Sequence, residues 1–184
     1  MSDAALRMRP VAIDALHVPL GDVLVPLAET HREALRAACA ADPEVWAIYP
    51  HSMLGDAFDP AFDAMLGTSG RLAFAIVAEG VAVGCTSYWP DATRFTVEIG
   101  GTYIDPDKRG GGFNAYLKRA MIEHAFAQGF ERLEFRVDTR NARSFRAVEK
   151  LGCTLDGVLR ANRWTWTGFV RDTAVYSLLP GEWR

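Results

Sequence analysis

A chain of 184 residues suits one domain with a substantial core, and 49% apolar with 23% charged residues is an ordinary globular composition. A formal net charge of −3 gives no electrostatic reason to expect nucleic-acid binding. Cys39, Cys85 and Cys153 are widely spaced with no CxxC or CxxH cluster, which argues against a disulfide framework or structural zinc and suits a reducing cytoplasm.

The first ten residues, MSDAALRMRP, lack a signal peptide's apolar core, and no run approaches the ~18 apolar residues of a membrane span. Neither a membrane partner nor a metal is expected. The four histidines are scattered, and His124 sits in a helical pattern as a packed or half-exposed side chain. The whole chain, 1–184, reads as one domain, with 1–20 as an N-terminal extension.

DVLVPL (22–27) reads as a short strand. Thr30 is placed to cap the helix HREALRAACA, with Glu33 completing a capping box. A second short helix is expected between Pro43 and Pro50, and a third over Pro60–Leu66. The period then changes to two. Residues 71–89 are two strands turning at Glu79-Gly80, and RFTVEIGGTYI (94–104) is a third. Gly100-Gly101 inside that strand marks a bulge or a close backbone approach.

Phe113–Ala127 fits a helix ended by Gly129, RLEFRVD (132–138) a strand, and 141–153 a short helix. Residues 154–179 read as two strands joined by a loop at Asn162–Gly168. Only the strands flanking 113–127 have a crossover suited to parallel pairing. The fold class is mixed α/β or α+β.

Gly110-Gly111-Gly112, between the basic pair Lys108-Arg109 and a helix, is the most informative stretch. One glycine would make a tight turn; three before a helix leave amides pointing outward where the helix dipole favours an anion. A phosphate-bearing ligand follows. A P-loop is excluded because no Gly-Lys pair occurs in the chain. The dinucleotide pattern G-x-G-x-x-G/A is met by Gly110, Gly112 and Ala115, but DPDKR separates it from its strand and the chain ends in an antiparallel-looking pair.

IDPDKRGGGFNAYLKRAM resembles the acyl-CoA pyrophosphate loop of the GNAT acetyltransferases, [Q/R]-x-x-G-x-[G/A], at Arg109, Gly112 and Asn114. Asn114 departs from Gly/Ala; asparagine tolerates left-handed φ and keeps its backbone N–H. DTRNARSFRAVEKLGC is similar to the segment after the fifth strand in the branch acting on ribosomal-protein N-termini (the RimJ/RimL type) and its small-molecule relatives. VEIGGTYIDP resembles that family's fourth strand and the closing residues its final hairpin, so the likeness covers roughly 20–180.

The resemblance implies a GNAT fold, with a mostly antiparallel sheet and one splayed parallel pair. It also implies direct transfer of an acetyl group from acetyl-CoA to an amine, either a peptide N-terminus or a small molecule. Arg109, Gly110, Gly111, Gly112 and Asn114 would then hold the pyrophosphate, with Phe113 packed beneath. The edge Gly101, Thr102, Tyr103 and Ile104 would pair with the pantetheine and polarise the thioester carbonyl. Asn141 would cap its helix and contact the pantetheine.

Glu98 is the candidate general base, with Thr96 and Thr102 on its face and Phe95, Val97, Ile99 and Tyr103 pointing the other way. The resemblance implies Ser144, which matches the serine of the N-terminal-acetylating branch, as the candidate donor to the leaving thiolate, directly or through water; 141–152 lacks the tyrosine that many family members use. Trp46, Tyr49 and Trp89 are candidates for the acceptor pocket, with Phe58, Trp164 and Trp166 as further aromatics. The terminal strand pair offers an edge for pairing across a homodimer. A non-catalytic acyl-CoA-binding module and a Rossmann-type oxidoreductase are the competing readings.

Overall fold

The period-two segments become β2 (Leu72–Ala78), β3 (Val81–Asp91) and β4 (Thr96–Ile104), to which β1 (Leu24–Pro26) adds on the β2 side. Helix α1 (Arg32–Ala40) and helix α2 (Phe58–Gly67) precede β2. Beyond β4 come α3 (Phe113–Ala127), β5 (Arg132–Asp138), α4 (Ala142–Lys150), β6 (Thr154–Trp164) and β7 (Val170–Leu178). This is a computed structural model that describes residues 23–184. The expected 1–20 extension lies outside the described residues.

The seven strands form one sheet in the order β1-β2-β3-β4-β5-β7-β6. Every neighbouring pair is antiparallel except β4 and β5, which α3 connects as a crossover. This topology sets aside a Rossmann-type arrangement.

Several boundaries differ from the sequence reading. Thr30 falls within a 3₁₀ turn, Glu29–His31, so α1 begins after it with no side-chain cap. His31 Nδ1 instead accepts the Ala28 N–H at 3.0 Å. The segment after Pro43 makes only a 3₁₀ turn, Glu44–Ile48, and α2 starts two residues before Pro60, which the first helical turn tolerates. Strands β6 and β7 extend to Trp164 and from Val170, leaving a shorter loop at 165–169. The Glu79-Gly80 turn holds, with φ of 54° and 80°, the geometry that matches strand twist.

Apolar residues pack on both faces of the sheet. On one, Leu117, Met121, Ile122 and Ala125 of α3 and Val148 of α4 bury Tyr88, Val97, Ile99, Leu133 and Phe135. On the other, Leu35 and Cys39 of α1 and Phe58, Phe62 and Met65 of α2 enclose Trp46, Cys85 and Tyr103. Each fully buried large side chain contributes roughly 1.5–3 kcal/mol relative to exposure.

A bulge in β4 decides where the site lies. Cys85 pairs with Tyr103 and Ser87 with Gly100, so Thr86 alone faces both Gly101 and Thr102. Gly101 takes φ 57° there. One extra residue reverses the alternation. Thr102 therefore joins Val97 and Ile99 on the α3 face, and Tyr103 joins Glu98 on the α1/α2 face. The expected grouping of Glu98 with Thr102, and of Tyr103 with Ile99, is corrected by that insertion. Phe95, with φ 51°, sits just before the strand rather than within it.

Candidate active site

Gly110, Gly111 and Gly112 have φ of 83°, 55° and 85°, three left-handed residues in succession. A Cβ at any of them would meet nothing within 4 Å among the described residues, so the glycines are required by conformation and not by crowding from those residues. The run turns backbone donors outward ahead of α3. Phe113 N–H reaches Gly110 O and Tyr116 N–H reaches Gly112 O, while the amides of the three glycines have no intramolecular acceptor among the described residues. An open hollow of ≈ 440 Å³ lies over them, lined by Asp107 to Phe113 and Tyr116. Successive amides of this kind at a helix N-terminus form an anion seat.

Phe113 packs against the core beneath the loop. Asn114 is already helical, so its tolerance of left-handed φ is not used; its side-chain Oδ1 is buried without a partner among the described residues. Arg109 turns inward. Its Nε donates to Ile104 O at 2.7 Å, its Nη1 pairs with Asp42, and its guanidinium lies 5.4 Å from the centre of the Tyr103 ring. Its charge is therefore balanced within the protein, and what it gives the loop is anchorage.

β4 and β5 pair only from Thr96–Arg132 to Glu98–Glu134 and then separate. Because Asp105 N–H bonds Val83 O, Tyr103 directs its backbone toward β3, and Thr102 and Ile104 direct theirs into the gap. Tyr49 Oη donates to Thr102 O at 2.5 Å and Arg109 already holds Ile104 O. Among the described residues the gap thus keeps the Thr102 and Ile104 amides as donors while two of its carbonyls are occupied.

Glu98 stands at the last paired position of that gap, on a part of its sheet face that α1 and α2 leave open. Its Oε2 is 3.3 Å from Arg136 Nε, and its side chain is 30% exposed. Desolvation raises its carboxyl above the ordinary value, opposed chiefly by Arg136. Asn141 caps α4 as expected, its Oδ1 accepting the Ser144 N–H at 3.0 Å. Ser144 is partly buried on the first turn of α4, the helix that follows β5.

The acceptor candidates separate. Trp46 is 1% exposed, stacked 4.8 Å from Tyr103 with its indole N–H on Cys39 O, and belongs to the core; Phe58 is likewise buried. Tyr49 reaches the gap through its hydroxyl. Trp89 is partly exposed beside Glu98, its cross-strand partner. Trp166 donates to Trp46 O at 2.8 Å, and Arg140 stacks 3.9 Å over Phe169, tying the β6–β7 loop across one end of the cleft. Trp164 is largely exposed.

Two residues near the site were not singled out by sequence. Arg71 precedes β2 and has no motif around it. Lys118 sits on the inward stripe of α3 beside Leu117 and Met121, and a lysine at that helical spacing was the available signal.

Among the described residues no helix is long and apolar enough to cross a membrane, no three His, Cys, Asp or Glu could hold a metal, and all three cysteines are free and buried.

A strand–bulge–glycine loop–helix unit beside a splayed parallel pair defines an acyltransferase architecture. The acetyltransferase (GNAT) domain model matches residues 23–154, and the chain belongs to that family. An L-methionine sulfoximine/L-methionine sulfone acetyltransferase of Pseudomonas paraeruginosa is 33% identical over 100 residues, 52% of this chain, and the match spans 58% of that relative's length. A structure assigned as an acetyltransferase from T. thermophilus is 35% identical with a TM-score of 0.79, covering 87% of this chain and 86% of the other. Mycobacterium smegmatis RimJ, in complex with CoA-disulfide, has a TM-score of 0.74 at 18% identity, covering 86% and 82%; that likeness is one of fold.

Proposed function

We propose that this single-domain protein is an acetyl-CoA-dependent N-acetyltransferase that moves an acetyl group directly to a primary amine. The observation that carries the reading is the left-handed Gly110–Gly112 run, whose free amides open α3 next to the gap between β4 and β5. Acetyl-CoA supplies the acyl group as a thioester. The Gly110–Asn114 backbone would hold its pyrophosphate, and Gly101–Ile104 its pantetheine arm, with the Thr102 and Ile104 amides as donors.

Glu98 takes the proton that the acceptor ammonium must lose, directly or through water, before the new C–N bond forms. A backbone N–H of the bulged strand polarises the acyl carbonyl, an effect typically worth ~3 kcal/mol. As the C–S bond breaks, the thiolate recovers a proton, for which Ser144 Oγ on α4 is the candidate donor, directly or through water; Asn141 fixes that helical turn. Tyr49 and Trp89 border the acceptor. The RimJ/RimL type of the family and an intracellular setting fit this reading.

The test is thiol release from acetyl-CoA with a panel of amines and peptides, preceded by a thermal-shift measurement with CoA and NAD(P). Stabilisation by CoA and acceptor-dependent thiol release are expected. Stabilisation by CoA with no turnover of any amine would favour a non-catalytic acyl-CoA-binding module, and stabilisation by NAD(P) alone would refute the reading.

A further inference from the structure

Arg71 is a partly buried cation with no ion pair among the described residues. Its Nε donates to Ser87 Oγ at 2.9 Å, and its guanidinium carbon lies 4.9 Å from the centre of the Trp89 ring. Both contacts fix the planar fork in place, yet neither balances its charge, and desolvation pulls its pKa down. Elsewhere on the molecule Arg32, Arg36, Arg109, Arg132, Arg136 and Arg140 all have carboxylate partners. Arg71 is built as though its partner arrives from outside.

Its position relative to Glu98 is equally specific. A Cβ on Gly100 would stand 3.1 Å from Glu98 Oε1, and a Cβ on the next residue, Gly101, would stand 3.4 Å from Arg71 Nη2 and 3.0 Å from Trp89 Cη2. The two missing side chains therefore leave a floor with the Glu98 carboxylate at one side, the Arg71 guanidinium at the other and the Trp89 ring between. Any side chain at Gly101 would fill that space.

The opposite wall is also positive. Arg163 of β6 lies directly across from Arg171 of β7. Strand register places Arg171, Thr173, Val175 and Ser177 on the same face as Asp138, Arg136 and Glu134, which is the face of Glu98. Like charges directly opposite on a sheet are destabilising. Arg171 is 7% exposed, and its Nε donates to Thr173 Oγ1. Asp138 and, less, Glu98 offset part of its charge, and Asp138 is itself paired with Arg140. Desolvation, then Arg71 and Arg163, hold His51 below its ordinary pKa, so its imidazole senses both arginines. A chain of net charge −3 thus concentrates unbalanced positive charge around one cleft.

We propose that the acceptor is a zwitterion of the free amino-acid type: a primary amine placed at Glu98 whose own carboxylate, a few atoms away, is held by Arg71. This rests on the acetyltransferase reading of the site. A guanidinium fork fixed on an aromatic face matches a carboxylate in two-point fashion, and the shared floor of Gly100 and Gly101 brings both ends of such a molecule within reach of one cleft. A polyamine would instead bring more positive charge to Arg71 and Arg163. A peptide N-terminus has an amide where the carboxylate is required.

The experiment compares L-methionine and L-phenylalanine with their carboxamides, spermidine and a short amidated peptide as acceptors at saturating acetyl-CoA. The wild type is set beside Arg71→Met and Arg71→Lys. The proposal expects kcat/KM for the free amino acids to exceed that for their amides by about tenfold or more, the usual scale for a lost charged hydrogen bond. Arg71→Met should remove this preference by raising KM for the carboxylates while leaving the amides nearly unchanged. Arg71→Lys, which keeps the charge and loses the fork, should fall between.

Equal or better use of the amides, spermidine or the peptide would overturn the zwitterion while leaving the acetyltransferase reading intact. So would an Arg71→Met variant, folded by circular dichroism, that weakens all acceptors alike. Should no acceptor be turned over, calorimetric titration of the CoA-loaded wild type with amino acid against amide still decides, and equal heats would end the proposal. Failure of CoA itself to bind would remove the acetyltransferase reading and this inference with it.

Discussion

The Lys118 amine stands 2.6 Å from the Thr102 hydroxyl, on the side of β4 opposite the Glu98 carboxylate. It also reaches Thr86 Oγ1 at 3.1 Å, and the two hydroxyls are 2.8 Å apart. Its bonding partners among the described residues include no carboxylate, so burial drives the amine pKa down, to about 7 against an ordinary 10.5, with Cys85 opposing weakly. The three side chains close over the two-residue side of the bulge and hold the turn of backbone that carries the Thr102 amide into the gap.

Stability should register this buried amine. Between pH 7 and about 10.5 the unfolded chain binds a proton that the native lysine has lost, so this group makes native stability rise with pH across that window. Below pH 7 the full cost of charging the buried amine is present. Lys118→Met leaves Thr86 and Thr102 bonded to each other, and should stabilise the protein near pH 6 by on the order of 2–4 kcal/mol while flattening the rise above pH 7. Calorimetric Tm measured from pH 6 to pH 10 is the check. An unchanged slope, or a variant less stable at every pH, would show that Lys118 is not held as described.

The glycine loop makes a separate prediction. Gly112 has φ 85°, and a Cβ there touches nothing, so Gly112→Ala should cost about 1–2 kcal/mol through backbone conformation alone. Urea unfolding measures that cost. The same change should weaken CoA binding in calorimetry by more than the stability loss explains, because a relaxed φ turns amides away from the seat. If affinity is unchanged, the loop does not hold the pyrophosphate.

The loop was legible because three glycines in a row have few uses, and the sheet because residues 71–104 and 132–138 alternate with period two. The bulge was legible as a glycine pair, but its consequence was not. Whether Thr102 or Tyr103 shares a face with Glu98 depends on which β3 residue is left alone opposite two, and only the pairing partner fixes that. Gly84 shows the same limit: a Cβ there would lie 2.2 Å from Tyr103 O, yet nothing around it in sequence marks the contact. Arg71 was opaque for a related reason, and although the loop pattern marked Arg109, its inward turn was not legible. Neither arginine's surroundings can be read until the fold gives Asp42 to one and, among the described residues, no carboxylate to the other.

That contrast can be tested through Asp42. The Asp42 and Arg109 side chains are 24% and 21% exposed, between a surface pair and a buried one, and Arg109 Nη2 already lacks a partner among the described residues. Asp42→Asn should therefore destabilise by about 1–3 kcal/mol, and loosen the loop that follows Arg109 enough to raise the Kd for CoA. Pairing Asp42→Leu with Arg109→Met should recover most of the stability, since the uncompensated charge is gone. A double variant as unstable as the sum of its single changes would place the effect elsewhere.

The pH dependence of turnover tests Glu98 itself. A general base acts only when deprotonated, so with a productive acceptor kcat/KM should fall on the acid side as pH drops through the Glu98 pKa. Desolvation sets that midpoint above the ordinary carboxylate value despite Arg136. Glu98→Gln keeps the shape and leaves Arg136 its second carboxylate, Glu134 at 3.2 Å, so the fold should survive the change. The variant should lose about 10²–10⁴-fold in kcat/KM, and its residual rate should no longer carry that acid limb. Replacing Arg136 with Met removes the main force holding the carboxyl down, so the acid limb should move to higher pH while the plateau stays close to wild type. A limb that persists in Glu98→Gln belongs to another group, and the base would then have to be sought elsewhere along the gap between β4 and β5.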